Sequence, residues 1–220
     1  MLKAVLSGFV DFLYPKSGEV YALEELSPYE LLARLPQAPD LGDETIAIFA
    51  YYDERVRDLI WELKYRKNRK IAETLASVVY DVLRTEVAER ALFENFINPL
   101  LIPMPMSPAR RLERGWNQTE VLCEELIRLD TDPPAQAGKI FEYSPNVLTK
   151  VRHTESQTLT TNKKERLRNV ENSMSSDQSV RGRNVVLFDD VTTTGATFRD
   201  ARRALRERGA RRILCIALAH

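Results

Sequence analysis

The run Val185-Val186-Leu187-Phe188-Asp189-Asp190-Val191-Thr192-Thr193-Thr194-Gly195-Ala196-Thr197 holds the densest chemistry in the sequence. Four apolar residues end in two acids, and a hydroxyl-rich stretch with a glycine then opens a helical pattern. A strand of this kind carries its acids to the carboxyl edge of a parallel sheet, where open α/β sheets bind ligands. The helix behind it presents unpaired N–H groups and a positive dipole end. Gly195 permits close backbone approach, and Thr193, Thr194 and Thr197 add hydroxyl donors, so a phosphate monoester can be held without a lysine. Carboxylates repel phosphate. Asp189 and Asp190 suit neighbouring ribose hydroxyls instead, and could help to place a hydrated Mg²⁺. The ligand this suggests is a ribose 5-phosphate. The bland alternative is a turn and helix cap with no ligand. No GxxxxGK[ST] loop is present, and no GxGxxG follows a strand.

Two other stretches are cationic. Pro105 to Gln118 (PMSPARRLERGWNQ) holds Arg110, Arg111 and Arg114 and follows the apolar run Leu100 to Met104; a solvated basic loop is the competing reading. Lys64 to Lys70 (KYRKNRK) closes a helical pattern. A third group, Arg199, Arg202, Arg203, Arg206, Arg208, Arg211 and Arg212, faces only Asp200 and Glu207, which predicts a basic C-terminal helix face, either solvated or nucleic-acid-binding. Trp61, Tyr65 and Trp116 are the aromatics near basic clusters.

The elements that must position these groups follow from periodicity. Leu2 to Leu13 is an amphipathic helix. Lys16 to Asp43, with Pro28, Pro36 and Pro39, reads as an extended arm, and a boundary near residue 44 divides residues 1–44 from a main domain of residues 45–220. Thr45 to Tyr52 is strand-like, and helical spacing follows at Val56, Leu59, Ile60 and Leu63 and again from Ile71 to Val82. Leu100 to Met104 is a buried parallel strand, the basic segment after it a loop, and Val121 to Leu129 a helix. Residues 130–180 are polar and expected to be mobile. Asn184 to Phe188 is a strand that leaves its acids at its end, outside the core. Thr197 to Arg208 is a helix stopped by Gly209, and Ile213 to Ala219 is the closing strand. Alternating strands and helices predict an α/β, doubly wound parallel sheet with helices on both faces.

Composition narrows the function classes. In 220 residues, 32 Lys+Arg balance 32 Asp+Glu, so no global field draws the chain to nucleic acid or an anionic membrane. No apolar run is long enough to span a bilayer, and a secretory signal is not expected. Cys123 and Cys215, with His153 and His220, cannot build a four-cysteine zinc site, and no metal ligand is expected from cysteine or histidine. The cysteines read as buried reduced thiols, which suits a cytoplasmic location. His153 reads as a plain loop residue rather than a base.

VVLFDDVTTTGAT resembles the phosphoribosyl diphosphate (PRPP) motif of type I phosphoribosyltransferases, with Thr192 where many members carry an aliphatic residue. ELKYRKN, LIPMPMSPARRLERGWNQTE, KVRHTESQ and the downstream ERLRN, in this order, resemble the competence protein F (ComF) family over roughly residues 45 to 220. The resemblance implies a type I phosphoribosyltransferase-like fold that binds PRPP or a related ribose phosphate with Mg²⁺. Asp189 and Asp190 would hold the ribose at the reacting centre, with Thr192, Thr193, Thr194, Gly195, Ala196 and Thr197 as the PRPP loop. Arg110 and Arg114 would form the pyrophosphate loop, and Lys150, Arg152, Thr154 and Gln157 a closing hood. The implied activity is phosphoribosyl transfer to a nitrogen acceptor. The alternative is a non-catalytic accessory of natural competence that handles imported single-stranded DNA or contacts other competence proteins. The family's N-terminal zinc ribbon has no counterpart in FLYPKSGEVY, so no zinc is expected.

Overall fold

The computed structural model describes residues 18–42, 44–131, 139–150 and 173–220. The expected helix Leu2 to Leu13 lies outside them, as do Arg152, His153, Thr154, Gln157 and the ERLRN segment. The strands are β1 (Thr45–Phe49), β2 (Leu100–Pro103), β3 (Glu142–Tyr143), β4 (Leu148–Lys150), β5 (Met174–Ser176), β6 (Asn184–Val191) and β7 (Arg212–Ala219). The helices are α1 (Gly18–Glu24), α2 (Pro28–Arg34), α3 (Glu54–Trp61), α4 (Arg69–Glu94), α5 (Pro108–Arg114), α6 (Gln118–Thr131) and α7 (Ala196–Glu207).

Strand order in the main sheet is β1-β7-β6-β2-β3, and every neighbouring pair is parallel. β6 sits at the centre, with Phe188 beside Pro103 on one flank and Ile216 on the other. Alternation along the strands builds two cores. Leu101, Val186, Phe188, Leu214, Ile216 and Leu218 face one core with α1 to α4 and α6. Leu100, Ile102, Val185, Leu187, Ile213, Cys215 and Ala217 face the other, under α7 and the antiparallel pair β4-β5. Apolar side chains on both faces are what a sheet covered by helices on both sides requires. Cys123 and Cys215 are buried free thiols; burial pushes Cys123 well above the ordinary thiol range and Cys215 up to about 12. Neither should react with a thiol reagent at pH 8 until the chain unfolds; rapid labelling of the folded protein would contradict this packing.

The arm expected to be extended or loosely structured holds two short helices, α1 (Gly18–Glu24) and α2 (Pro28–Arg34). Pro28 is the reason. Rather than breaking structure, it occupies the first turn of α2, where Ser27 and Glu30 form a capping box and no proline N–H is needed. Leu31 and Leu35 then bury against α4, and the segment beyond lies along β1, with the Ala38 N–H donating to the Ile48 carbonyl at 3.0 Å. The basic segment expected to be a loop contains the short helix α5: Ser107 caps it, Pro108 starts it, and Gly115 ends it at φ 77°. Within residues 130–180, the described part contains β3, β4 and β5 rather than loop alone.

Candidate functional site

The acids do not project beyond their strand. Asp189 and Asp190 are the sixth and seventh residues of β6; Asp190 is buried and Asp189 half-buried, contrary to the expectation that they lie outside the core. Each is tied to the backbone that follows it: the Asp190 N–H donates to Asp189 Oδ1 and the Val191 N–H to Asp190 Oδ1, both at 2.8 Å. Asp190 Oδ2 accepts from Gln118 Nε2 at 2.7 Å and pairs with Lys64 Nζ at 3.0 Å. Burial, and next the charge of Asp190, push the Asp189 carboxyl well above its ordinary value of 3.8.

Lys64 and Gln118 were not among the residues picked from sequence. Lys64 rides on a π-helical turn, Glu62–Arg66, that continues α3. Buried Glu62 pairs with Arg66 at 2.6 Å within that turn, and Trp116 Nε1 donates to the Leu63 carbonyl at 3.2 Å. Lys67 ends the turn in the left-handed region, and Asn68 caps α4. Gln118 starts α6 immediately after Asn117, whose Oδ1 accepts the Thr119 N–H at 3.2 Å. Asn117 Nδ2 and Thr119 Oγ1 both donate to the Met104 carbonyl, at 3.1 and 3.0 Å. The Trp-Asn-Gln-Thr run therefore folds the basic segment back onto the end of β2 and aims Gln118 at the acids. The local signals were the cation-rich ELKYRKN and the RGWNQ motif; their convergence on Asp190 is a tertiary fact.

A cavity of about 210 Å³ gathers Asp189, Asp190, Thr197, Arg110, Arg114 and Lys150, all picked from sequence, with Lys64 and Gln118. Burial, reinforced by the charge of Arg110, holds Lys150 below its ordinary value. Arg114 Nε and Gln118 Oε1 are buried and have no hydrogen-bond partner among the described residues. Thr192, Thr193, Thr194 and Gly195 line a second cavity of about 210 Å³, with Arg199, Arg202 and His220. Ala196 opens α7 beside Gly195, which sits at φ 68°, a conformation glycine adopts without strain. The expected basic face of α7 is largely tied down: Arg203 bonds to Asp200 and Glu207, Arg202 is buried on the Glu44 carbonyl and Thr45, and Arg199 donates to the Thr194 carbonyl at 2.7 Å.

The donor set suits a hard cation carried by a ligand. Asp189, Asp190 and the unpartnered Gln118 Oε1 are oxygens, the chemistry Mg²⁺ takes, and are too few to enclose the ion without ligand phosphates and water. Among the described residues no group of three or more His, Cys, Asp or Glu could hold a metal.

One consequence is a trade-off. Asp189 binds a proton more tightly folded than unfolded, so its ionised form costs stability, and that cost grows as pH rises from about 3.8 through the raised folded value. Asp189→Asn should therefore raise the melting temperature at pH 8, with the advantage shrinking toward pH 4. A melting temperature below wild type at pH 8 would contradict this.

Residues 137–220 match the phosphoribosyl transferase domain family, a stretch that includes Lys150, the acid pair and the threonine loop. Competence protein F of Haemophilus influenzae is 29% identical over 80% of this chain and 72% of its own length. DNA utilization protein YhgH of Escherichia coli K12 is 27% identical over 76% and 68%. Competence protein ComFC of Bacillus subtilis is 27% identical over 72% of this chain and 56% of its own length. Among solved structures, hypoxanthine phosphoribosyl transferase of Trypanosoma cruzi is 14% identical over 66% of this chain and 64% of its own, with a TM-score of 0.38. No helix among the described residues is long and apolar enough to cross a membrane. The parallel sheet, the phosphoribosyl transferase domain match and these relatives agree: the chain has a type I phosphoribosyltransferase-like fold and is similar to the competence protein F family over most of its length.

Proposed function

We propose that the cavity binds PRPP, or a closely related ribose 5-phosphate ligand, with Mg²⁺. The observation that carries this reading is the pairing of opposites in one cavity: four cationic side chains, one with an unpartnered buried donor, beside two carboxylates that want hydroxyls or a cation. In this reading Asp189 and Asp190 accept from the ribose hydroxyls, and the N–H groups and hydroxyls of Thr193 to Thr197 hold the 5-phosphate. Arg110, Arg114 and Lys150 take the diphosphate, Arg114 through its free Nε–H. Bound Mg²⁺ would supply charge neutralisation of the leaving pyrophosphate. Transfer breaks the bond from the anomeric carbon to the pyrophosphate oxygen and forms a bond from that carbon to an acceptor nitrogen. The two carboxylates would stabilise the cationic ribose as the pyrophosphate departs. A cytoplasmic setting supplies both PRPP and Mg²⁺. The test is thermal unfolding with and without PRPP and Mg²⁺, followed by a screen of nitrogen bases for pyrophosphate release: stabilisation supports the site and release supports transfer. No stabilisation by PRPP would remove the reading.

A second reading, an accessory that handles single-stranded DNA, is favoured by an aromatic and cationic cluster around the Lys64 turn. Lys67 Nζ lies 4.4 Å from the Trp116 ring centroid, and the Arg114 guanidinium 5.2 Å from that of Tyr65. Trp61 and Tyr65 have centroids 5.4 Å apart. Aromatics interleaved with cations form stacking platforms for unpaired bases. Salt-dependent oligonucleotide binding that is lost in Trp116→Ala would support this role; binding unchanged by that substitution would place any DNA contact elsewhere.

A further inference from the structure

Three of the roughly four acceptor positions of the Asp190 carboxylate are filled. Oδ1 takes the Val191 N–H, and Oδ2 takes both Gln118 and Lys64, so Oδ2 accepts neither a ribose hydroxyl nor a cation until a donor leaves. The three donors differ in how easily they move. The Val191 N–H is part of β6, and Gln118 is fixed at the start of α6 by the Asn117 and Thr119 contacts. Lys64 holds its ammonium on a flexible stem, with its side chain 19% exposed in a cavity that also contains Arg110, Arg114 and Lys150.

The backbone beneath Lys64 is anchored far more firmly than its ammonium. The Glu62–Arg66 pair, the Trp116 bond to the Leu63 carbonyl and the Asn68 cap hold the turn from three sides. Such a mount holds Lys64 at the cavity while leaving its terminal atom free to change partner. An ammonium on Asp190 also competes with any bare divalent cation for the same oxygens.

Building on the ribose-phosphate reading, we propose that Lys64 is a resident counter-ion of Asp190 that changes partner when the ligand arrives. Its ammonium passes from the carboxylate to a phosphate oxygen of the ligand, and Asp190 is released to the ribose hydroxyls or to the cation the ligand brings. Lys64 thus acts both as a phosphate ligand and as a guard against metal binding ahead of the sugar phosphate.

Two measurements on Lys64→Gln separate this from a structural role. Mn²⁺ alone, followed by electron paramagnetic resonance, should bind the variant about tenfold more tightly than wild type, the effect expected on removing a competing charge at this range. PRPP at saturating Mg²⁺, followed by calorimetry, should bind it about tenfold more weakly, for want of a charge-assisted phosphate contact. Lys64→Arg, which keeps the charge, should match wild type toward Mn²⁺. Unchanged or weaker Mn²⁺ binding in a folded Lys64→Gln protein overturns the proposal. If wild type binds no PRPP, the ribose-phosphate reading fails, while the Mn²⁺ comparison still judges whether Lys64 guards the acids. If Lys64→Gln loses cooperative unfolding, the side-chain ammonium NMR signal of Lys64 in wild type decides: displacement on adding PRPP and Mg²⁺ supports the exchange, and an unmoved signal overturns it.

Discussion

On the proposed ribose-phosphate reading, Asp190→Asn should lower the affinity for PRPP by about a hundredfold, since a hydrogen bond to a charged acceptor contributes about 1.5–3 kcal/mol and the bond from the ribose hydroxyl to Asp190 would weaken. The substitution is nearly isosteric, so the shape of the cavity is kept. The asparagine oxygen can replace Oδ1 and accept the Val191 N–H, while the NH2 in place of Oδ2 needs the Gln118 amide to turn and offer its unpartnered Oε1. What asparagine cannot do is balance Lys64, whose ammonium can turn into the cavity rather than stay buried and unpaired. The stability cost should therefore stay near about 1–2 kcal/mol. Titration calorimetry and a thermal melt of the same sample check both halves. A collapse of the melting temperature with binding retained would make Asp190 a structural ion-pair partner and remove it from the site.

The largest effect on stability belongs to Phe188. Its ring is fully buried in the central strand, in the core shared with Leu214, Ile216 and α4, and its carbonyl accepts the Met104 N–H at 2.7 Å where the chain leaves β2. Phe188→Ala removes the ring from a site hemmed in by β2 and β7, where little collapse is possible. Loss of transfer energy plus the cavity left behind should cost about 3–5 kcal/mol. Against a total of about 5–15 kcal/mol for an ordinary domain, that is a large share, and the melting temperature should fall by about 10 °C. Equilibrium denaturation measures it, and a loss below about 1 kcal/mol would mean that the two-faced burial of β6 is wrong.

Chemistry written within one short stretch was readable in the sequence. The apolar run, the two acids, the threonines and Gly195 lie within thirteen consecutive residues, and their strand, loop and helix formed as the local pattern requires. Arg110 and Arg114 came from the resemblance, which places a pyrophosphate loop after the strand Leu100 to Met104, and the chain returns them to the same sheet edge. Two kinds of information were not readable. Pro28 reads as a break because a proline alone does not say whether it ends a helix or occupies a first turn, and the short α5 reads as loop; the Ser27 and Ser107 caps are the signal that decides. Convergence was the other. Asp190 meets Lys64 and Gln118 from distant parts of the chain, and no periodicity encodes that meeting. The acids also proved more buried than their polarity suggested, because β6 runs on to Val191 rather than stopping at Phe188.

The most direct test of the ribose-phosphate site is calorimetric titration of wild-type protein and Asp190→Asn with PRPP in the presence of Mg²⁺. Saturable binding at one site per chain in wild type, lost in the variant, is the predicted result. Absence of binding in wild type, or equal binding in both proteins, would contradict the assignment of the acid pair to a ribose-phosphate ligand.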